Sequence, residues 1–163
     1  MKDTYILRLC NTVYGNEAPR LSANKDQCFI RIPNFLRDKG KCRVSVIDMN
    51  IQLKNGSGTS VVPANTHLIG IRSNIPMLGF NNENNGLPNI LGMGKVSATG
   101  NAVSTDSSQA LSFTCGKLPD EVHLERVCLD PANDFNLIAA DNFTTNVVPF
   151  QVDLELQFFE DDH

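Results

Sequence analysis

The three histidines are the first residues to consider for chemistry, because histidine is the commonest metal ligand and general base near neutral pH. His163 ends the sequence, while His67 and His123 stand alone within short apolar segments. A metal-dependent enzyme on a β scaffold would need closely spaced histidines followed by a carboxylate, and that spacing is absent. We therefore expect structural histidines, although a Cys128 thiol paired through space with His123 or His67 stays open as a nucleophile.

The cysteines are five in number and widely scattered. With no Cys-x-x-Cys pair and no histidine pair nearby, their spacing predicts neither a zinc site nor a disulfide framework. The first residues carry charge and do not resemble a signal peptide, so we expect reduced, buried thiols in a reducing compartment. The cysteines are Cys10, Cys28, Cys42, Cys115 and Cys128.

Two further groupings have ordinary explanations. Asp130, Asn133 and Asp134 offer oxygen ligands for calcium but lack the glycine and the distal glutamate of a loop site, so a turn accounts for them better. The glycines of residues 92–95 are too few to surround a phosphate and precede no predicted helix. The sequence thus predicts no catalytic residues, no metal, no cofactor and no enzyme.

Composition limits the class of protein. The chain has 163 residues, 41% of them hydrophobic and 20% charged, which suits one folded domain. Its net charge of −4 and pI near 5.3 disfavour bulk binding to nucleic acid. No apolar run approaches the roughly 20 residues of a membrane span.

Charge is unevenly distributed along the chain. Residues 1–54 hold ten Lys and Arg against five Asp and Glu, whereas residues 55–163 hold four against thirteen. Either interleaved strands bring these opposite charges together within one molecule, or a basic patch faces an acidic patch of a neighbouring subunit. The basic patch comprises Arg31, Arg37, Lys39, Lys41 and Arg43; the acidic patch comprises Glu121, Glu125, Asp130, Asp134, Asp153 and Glu155.

The elements that must position these residues are predicted to be strands. Within residues 147–159, apolar side chains alternate with polar ones from Phe150 to Phe158, which is typical of a strand with one dry face. Residues 41–53 alternate too, but the parity changes near Val46, which predicts a β-bulge. Residues 117–129 could instead begin a helix after Pro119. The other predicted strands are 5–10, 27–35, 66–73, 89–98, 109–115 and 122–129.

About eight antiparallel strands in a single domain predict an all-β sandwich of two sheets, either a single jelly roll or another Greek-key arrangement, with a closed barrel as the alternative. The segments 79–89 and 100–108 are predicted to be long polar loops, and 56–60 a hairpin loop. The whole chain, 1–163, is expected to form this one domain.

The order of segments resembles the single jelly-roll capsid proteins, penton or minor capsid subunits, of large double-stranded DNA viruses. The resemblance spans about residues 28–159. It differs in the turn at 130–134 and in the length of the segment that follows. The pieces that carry it are 28–33, 44–53, 68–75, 89–92 leading to Val96, 122–129 and the closing strand at 154–158.

This resemblance implies a virion building block, made in the host cytoplasm, that assembles as a homo-oligomer (pentamer or trimer) and with other capsid proteins. Residues 1–26 would then form an N-terminal arm used in subunit contacts, with 1–10 as a strand added to a neighbour. The alternative is a lectin-like or receptor-binding sandwich that holds a sugar in the Asn-rich loops. The candidate subunit-contact residues are Arg31, Arg37, Lys39, Lys41, Arg43, Glu121, Glu125, Asp153 and Glu155.

Overall fold

The structure, a computed structural model, describes residues 3–12, 19–21, 27–52, 68–78, 89–95, 102–105, 111–130, 136–139 and 150–159. These residues form eleven strands and one short helix. The elements are β1 (Thr4–Cys10), β2 (Arg20–Leu21), β3 (Gln27–Arg31), α1 (Asn34–Arg37), β4 (Cys42–Gln52), β5 (Leu68–Ser73), β6 (Asn89–Lys95), β7 (Ala102–Thr105), β8 (Ser112–Cys115), β9 (Glu121–Asp130), β10 (Asn136–Ala139) and β11 (Phe150–Phe158).

The strands form two antiparallel sheets, which confirms the predicted all-β sandwich. The first sheet has the order β1-β11-β4-β7, with β8 also paired to β4. The second sheet has the order β2-β3-β9-β5-β6, with β10 also paired to β9. The chain passes repeatedly from one sheet to the other, so neighbours within each sheet are distant in sequence.

The closing strand β11 lies between β1 and β4 in the first sheet. Its apolar side chains point inward as the alternation predicts. Asp153 was expected on the wet face, yet it is only 6% exposed. Arg8 of β1 explains this burial, because its guanidinium covers the carboxylate and forms two hydrogen bonds of 3.0 and 3.2 Å with it. The buried apolar residues of β11 are Phe150, Val152, Leu154, Leu156 and Phe158.

The bulge predicted near Val46 is confirmed one residue later. Asp153 pairs with Asp48 whereas Leu154 pairs with Val46, so Ile47 is the extra residue of β4. Val46 and Met49 are both buried although they are three positions apart, because an extra residue reverses the faces of a strand. The bulge lets the apolar side chains of both halves of β4 point into the core.

The core lies between the two sheets and is built from the inward faces of both. Gly92 of β6 marks a close approach, because a Cβ at this position would lie 3.1 Å from the Met49 sulfur of β4. Arg126 is fully buried; its side chain reaches from β9 to the first sheet, where Nη1 donates to the Gln52 carbonyl at 3.4 Å. Its guanidinium carbon lies 5.4 Å from the centre of the Phe150 ring.

Two predicted segment boundaries were wrong. The predicted strand 27–35 ends at Arg31, and residues from Asn34 form α1. Pro33 has no N–H for a ladder, whereas its carbonyl accepts from Leu36 and Arg37 to start the helical turn. The predicted loop 100–108 contains β7, where Val103 pairs with Ile51 of β4.

Other differences concern short strands. The short strands β2 and β10 were not predicted, because a two-residue and a four-residue strand carry almost no periodicity. The helix alternative for 117–129 was wrong, since residues 121–130 form β9 in the centre of the second sheet. The segments 56–60 and 79–88 lie outside the described residues.

The N-terminal strand is already used within the chain. All seven residues of β1 pair with β11 of the same molecule, and Leu7 and Leu9 are buried in the core. The addition of residues 1–10 to a neighbouring subunit stays a prediction, because β1 lies at the edge of the first sheet and pairs with β11 on one side. A role of 1–26 in subunit contacts stays a prediction, now acting through an edge strand of the first sheet.

Candidate functional site

The exposed end of the first sheet, where β1 begins and β11 ends, gathers aromatic and basic side chains. We call this the rim and define it as Tyr5, Phe35, Lys39, Lys41, Phe158 and Phe159. The Tyr5 ring contacts those of Phe35 and Phe158 edge to face, each at 5.9 Å between centroids. Phe35 is nevertheless 56% exposed and Phe159 39% exposed. The rim is thus an ordered surface with uncovered apolar area.

Local backbone geometry builds the rim. Helix α1 follows Pro33 and presents Phe35 outward and Leu36 into the core. Gly40 has a φ of +80°, a left-handed conformation that glycine adopts at low cost, and it turns the chain from α1 into β4. The Phe159 amide donates to the Lys41 carbonyl at 3.1 Å, which places the Lys41 ammonium 5.5 Å from the Phe159 ring.

Lys39 is held at the rim by an ion pair with Asp3 at 2.8 Å. Its ammonium also lies 5.4 Å from the centre of the Tyr5 ring. The hydrogen bond with Asp3 raises the pKa of Lys39, and the same bond lowers the pKa of Asp3. Both groups therefore stay charged across the neutral range.

Arg37 has a mainly structural position. Its guanidinium donates to the Ile32 carbonyl at 3.0 Å and to Asp120 at 2.6 Å, and it also contacts Asn34. Only 16% of the side chain is exposed. Arg37 thus joins α1 to the segment before β9, and little of it is available to a partner.

Arg43 lies on the outer face of the first sheet, next to the rim. It pairs in register with Gln157 on one side and Thr114 on the other, and Thr114 in turn bridges to Leu78. Arg43, Thr114 and Gln157 line a shallow groove of about 370 Å³. The groove is lined by Arg43, Ser112, Phe113, Thr114, Gln157 and Phe159.

The next outward-facing row of the same sheet contains Ile6, Glu155 and Ser45, which are register partners. Ile6 is 53% exposed. Among the described residues no ion pair involves Glu155, Arg31, Lys41 or Arg43. These four predicted contact residues are therefore the ones whose charges the described part of the chain leaves available.

The other predicted acidic residues whose side chains the structure describes are paired within the molecule. Asp153 binds Arg8, and this contact raises the pKa of the Arg8 guanidinium. Glu121 binds Arg20 at 2.9 Å, with both side chains well exposed. Glu125, by contrast, is only 4% exposed and binds Arg72, whose Nε donates to it at 2.7 Å. The side chain of Asp130 and all of Asp134 lie outside the described residues.

The outer face of the second sheet carries a smaller cleft of about 210 Å³. Its His123 ring stacks on Phe29 at 4.4 Å, and the Arg20 guanidinium lies 4.2 Å from the Phe29 ring centre. The side-chain amide of Asn74 accepts a hydrogen bond from the backbone N–H of His123 at 2.8 Å and donates one to the backbone carbonyl of Glu121. Asn74 therefore binds the backbone of β9. The lining residues are Arg72, Ser73, Asn74, His123 and Glu125.

Catalytic and metal-binding hypotheses have few residues to rest on. His123 belongs to the stack with Phe29, whereas the Cys128 side chain and all of His67 lie outside the described residues, so the Cys–His pair stays untested. Within the described ranges no group of three His, Cys, Asp or Glu residues is placed to hold a metal ion. No helix in the same ranges is long and apolar enough to cross a membrane.

Sequence reasoning missed the aromatic part of the rim. Phe159 was counted as the end of an alternating strand, although it breaks the alternation by following Phe158 directly. Phe35 was assigned to a strand that ends earlier. Apolar residues that fall out of phase with a strand pattern were the available signal, because they cannot all point into the core.

Comparisons with known proteins give little to set beside this geometry. No protein-family model matches the chain, and no curated protein matches it. Among solved structures, the crystal structure of the mavirus penton protein is similar at a TM-score of 0.39 and 9% identity. That comparison covers 91% of this chain, which spans 61% of the length of the penton protein.

A second solved structure belongs to the disulfide-linked pili of Bacillus endospore appendages, with a TM-score of 0.27 and 10% identity. That comparison covers 99% of this chain and 92% of the pilus chain. Scores this low do not establish a shared fold or a shared function.

Proposed function

We propose that this chain is a structural protein of a virion shell: a single jelly-roll capsid protein, serving as a penton or minor capsid subunit. The observation that carries the proposal is the strand order. Four strands in the order β1-β11-β4-β8 lie opposite four in the order β3-β9-β5-β6. This order supports the proposal, because a jelly roll is built from two Greek keys in two facing four-stranded sheets, and capsid proteins, lectins and cupins use that fold.

Because one fold can serve many functions, a particular function must be inferred from the residues on the surface. The rim supports assembly, since aromatic residues and arginine are enriched where proteins meet. The exposed Phe159 lies beside Lys41 and Arg43, and the exposed Phe35 packs against Tyr5 of the same rim. In this proposal the chain has no catalytic residues and binds no cofactor. Its partners are copies of itself, as a pentamer or trimer, and the major capsid protein of the same virus.

The geometry refines the proposed electrostatic contact. Arg37, Lys39, Glu121, Glu125 and Asp153 already have partners within the chain. The proposed contact therefore rests on Arg31, Lys41 and Arg43 as cations and on Glu155 as the anion. A contact that joins this face to a different surface of the next copy closes into a ring when the rotation between subunits permits it.

The test is the oligomeric state measured by mass photometry and sedimentation at low and high salt. We expect the wild-type protein to associate at low salt and to dissociate as salt screens the contact. The double variant Lys41→Glu/Arg43→Glu should stay folded and lose association. Lys95→Glu, an exposed lysine of the second sheet, is the matched control and should behave as wild type.

A wild-type chain that stays monomeric at tens of micromolar in low salt, and binds no capsid protein from the same source, would contradict the proposal. Equal loss of association in the Lys95→Glu control would contradict the location of the contact.

A second candidate, a lectin-like or receptor-binding module, is favoured by the cleft on the second sheet, where polar side chains surround the His123 ring. Both faces of the Phe29 ring are occupied, by Arg20 and His123, which leaves no free Phe29 face for a sugar. Glycan-array binding that is lost in His123→Ala would favour this candidate over the capsid subunit.

A further inference from the structure

Two cysteines face each other inside the first sheet. Cys42 is the first residue of β4 and Cys115 the last of β8, and the two are direct partners in the antiparallel register. Both side chains are buried in the core, and both are free thiols. Residues directly opposite in such a pair have Cβ atoms about 4.5–5.5 Å apart, close to the separation that a disulfide requires.

The two thiols are ordered relative to each other. The Cys115 thiol donates to the Lys117 carbonyl at 3.2 Å. The Cys42 thiol in turn hydrogen-bonds Cys115; this bond lowers the pKa of Cys115 and raises the pKa of Cys42. Cys115 is therefore the thiol that ionises first, with a neutral thiol held against it.

We propose that Cys42 and Cys115 are a latent disulfide that a peroxide closes within the folded chain. The proposal goes beyond the proposed shell function and does not depend on it. A subunit folded with reduced thiols would gain a covalent link between β4 and β8 after transfer to an oxidising environment.

The oxidation balances with hydrogen peroxide as the only oxidant. The Cys115 thiolate attacks one peroxide oxygen, so that an S–O bond forms, the O–O bond breaks and water leaves after protonation. The Cys42 sulfur then attacks the sulfenic sulfur, an S–S bond forms, and the released hydroxide takes the Cys42 proton to become water. One peroxide and two thiols give one disulfide and two waters.

Local opening gives the small oxidant access. Strand β8 has only four residues, and β4 is its one ladder partner in the described part of the chain. On its other side a single bridge joins Thr114 to Leu78. Short edge strands with few contacts open at lower free energy than central strands.

The two other thiols that the structure describes, those of Cys10 and Cys28, lack this arrangement. Cys28 pairs in register with Leu124 and Leu21, and burial raises the pKa of its thiol to about 12. Cys10 pairs in register with Gln151, and its sulfur lies 3.0 Å from the Thr12 hydroxyl. Neither has a sulfur as its cross-strand partner, so both serve as internal controls.

The test uses the full-length folded protein, treated with hydrogen peroxide, quenched, denatured, alkylated and digested with trypsin without reduction. Each of the five cysteines falls on its own tryptic peptide. We expect the dipeptide 42–43 to be joined to the peptide 96–117, and the alkylated thiols to fall from five to three. Reduction should restore both separate peptides.

Two variants make the result decisive. In Cys42→Ser the sulfenic acid has no resolving thiol, so Cys115 should accumulate sulfinic acid and no linked peptide should form. In Cys28→Ser, which removes a thiol just as buried, the 42–115 link should form as in wild type. Should Cys42→Ser fail to fold, the wild-type peptide map alone decides the question.

Three results would overturn the proposal. The first is full retention of the Cys42 and Cys115 thiols while other thiols oxidise. The second is a dominant link between any other pair, such as Cys10 with Cys28. The third is direct over-oxidation of Cys115 in wild type without a linked peptide.

Discussion

The cleft side of the second sheet and the rim end of the first sheet use the same residue types in different ways. On the second sheet, arginines bind glutamates in the Arg20–Glu121 and Arg72–Glu125 pairs. At the end of the first sheet, Lys41 and Arg43 have no acidic partner among the described residues and lie beside exposed Phe159. A charged residue in a sequence is thus not automatically available to a partner, because cross-strand neighbours decide whether its charge is already matched.

The largest expected effect separates the inner and outer faces of β11 in the first sheet. Leu154→Asp should lower the free energy of unfolding by about 4 kcal/mol or more, because it places a charge in the core. Glu155→Lys, one residue away on the outer face, should cost under about 1 kcal/mol. Urea unfolding measures both. Equal losses would contradict the assignment of the two faces.

The next effect compares two ion pairs of the second sheet. Arg72→Met leaves the buried Glu125 carboxylate without its partner and should cost about 2–3 kcal/mol. Arg20→Met breaks an exposed pair with Glu121 and should cost under about 1 kcal/mol. Thermal or urea unfolding of both variants in the same buffer tests the comparison. A larger loss of unfolding free energy in Arg20→Met than in Arg72→Met would contradict the expected difference between the buried and the exposed pair.

A smaller effect on stability is expected at the rim. Phe35→Ser removes an exposed ring whose edge-to-face contact with Tyr5 contributes about 0.5–1.5 kcal/mol. If the rim is the contact surface, the same variant should weaken self-association at low salt much more than Lys95→Glu does. Urea unfolding measures the effect on stability, and sedimentation at several protein concentrations measures the effect on self-association. Unchanged association in Phe35→Ser would remove Phe35 from the proposed interface.

The smallest effect is the pH dependence of the Asp3–Lys39 pair. Pairing lowers the pKa of Asp3 below 3.8, so its contribution to stability is present above pH 3.8 and is lost as the pH falls through the folded-state pKa. Pairing raises the pKa of Lys39 above 10.5, so that contribution is present below pH 10.5 and is lost above the folded-state pKa.

The variant Asp3→Asn should therefore differ from wild type by a small, constant free energy of unfolding through the neutral range. The difference should vanish toward strongly acidic pH, where both proteins lack the carboxylate charge. A difference that changes between pH 5 and 9 would mean that another titrating group controls the pair.

Much of the fold could be predicted from period-two alternation. Residues 147–159 and 41–53 carry long alternating patterns, and the structure places β11 and β4 there at the centre of the first sheet. The parity change near Val46 even predicted the bulge at Ile47. Short strands such as β2 and β7 could not be predicted, since their pairing is supplied by β3 and β4 rather than by their own sequence.

The candidate site could be predicted only in part. The concentration of cations at Arg31–Arg43 was visible in the sequence, and so was the acidic character of the later segments. The sequence could not reveal that Arg37 would bind Asp120 or that Glu125 would bind Arg72. These pairs join residues 83 and 53 positions apart, and only strand order brings them together.

By itself, the amino-acid sequence determined the all-β class, the inward face of the long strands and the uneven distribution of charge. Each of these follows from local patterns, because alternation and composition act within a few residues. The tertiary structure alone decided which charges are matched, which aromatic residues stay exposed at the rim and which two cysteines meet. Those outcomes depend on register between strands distant in sequence, and a shift of one residue would reverse every one of them.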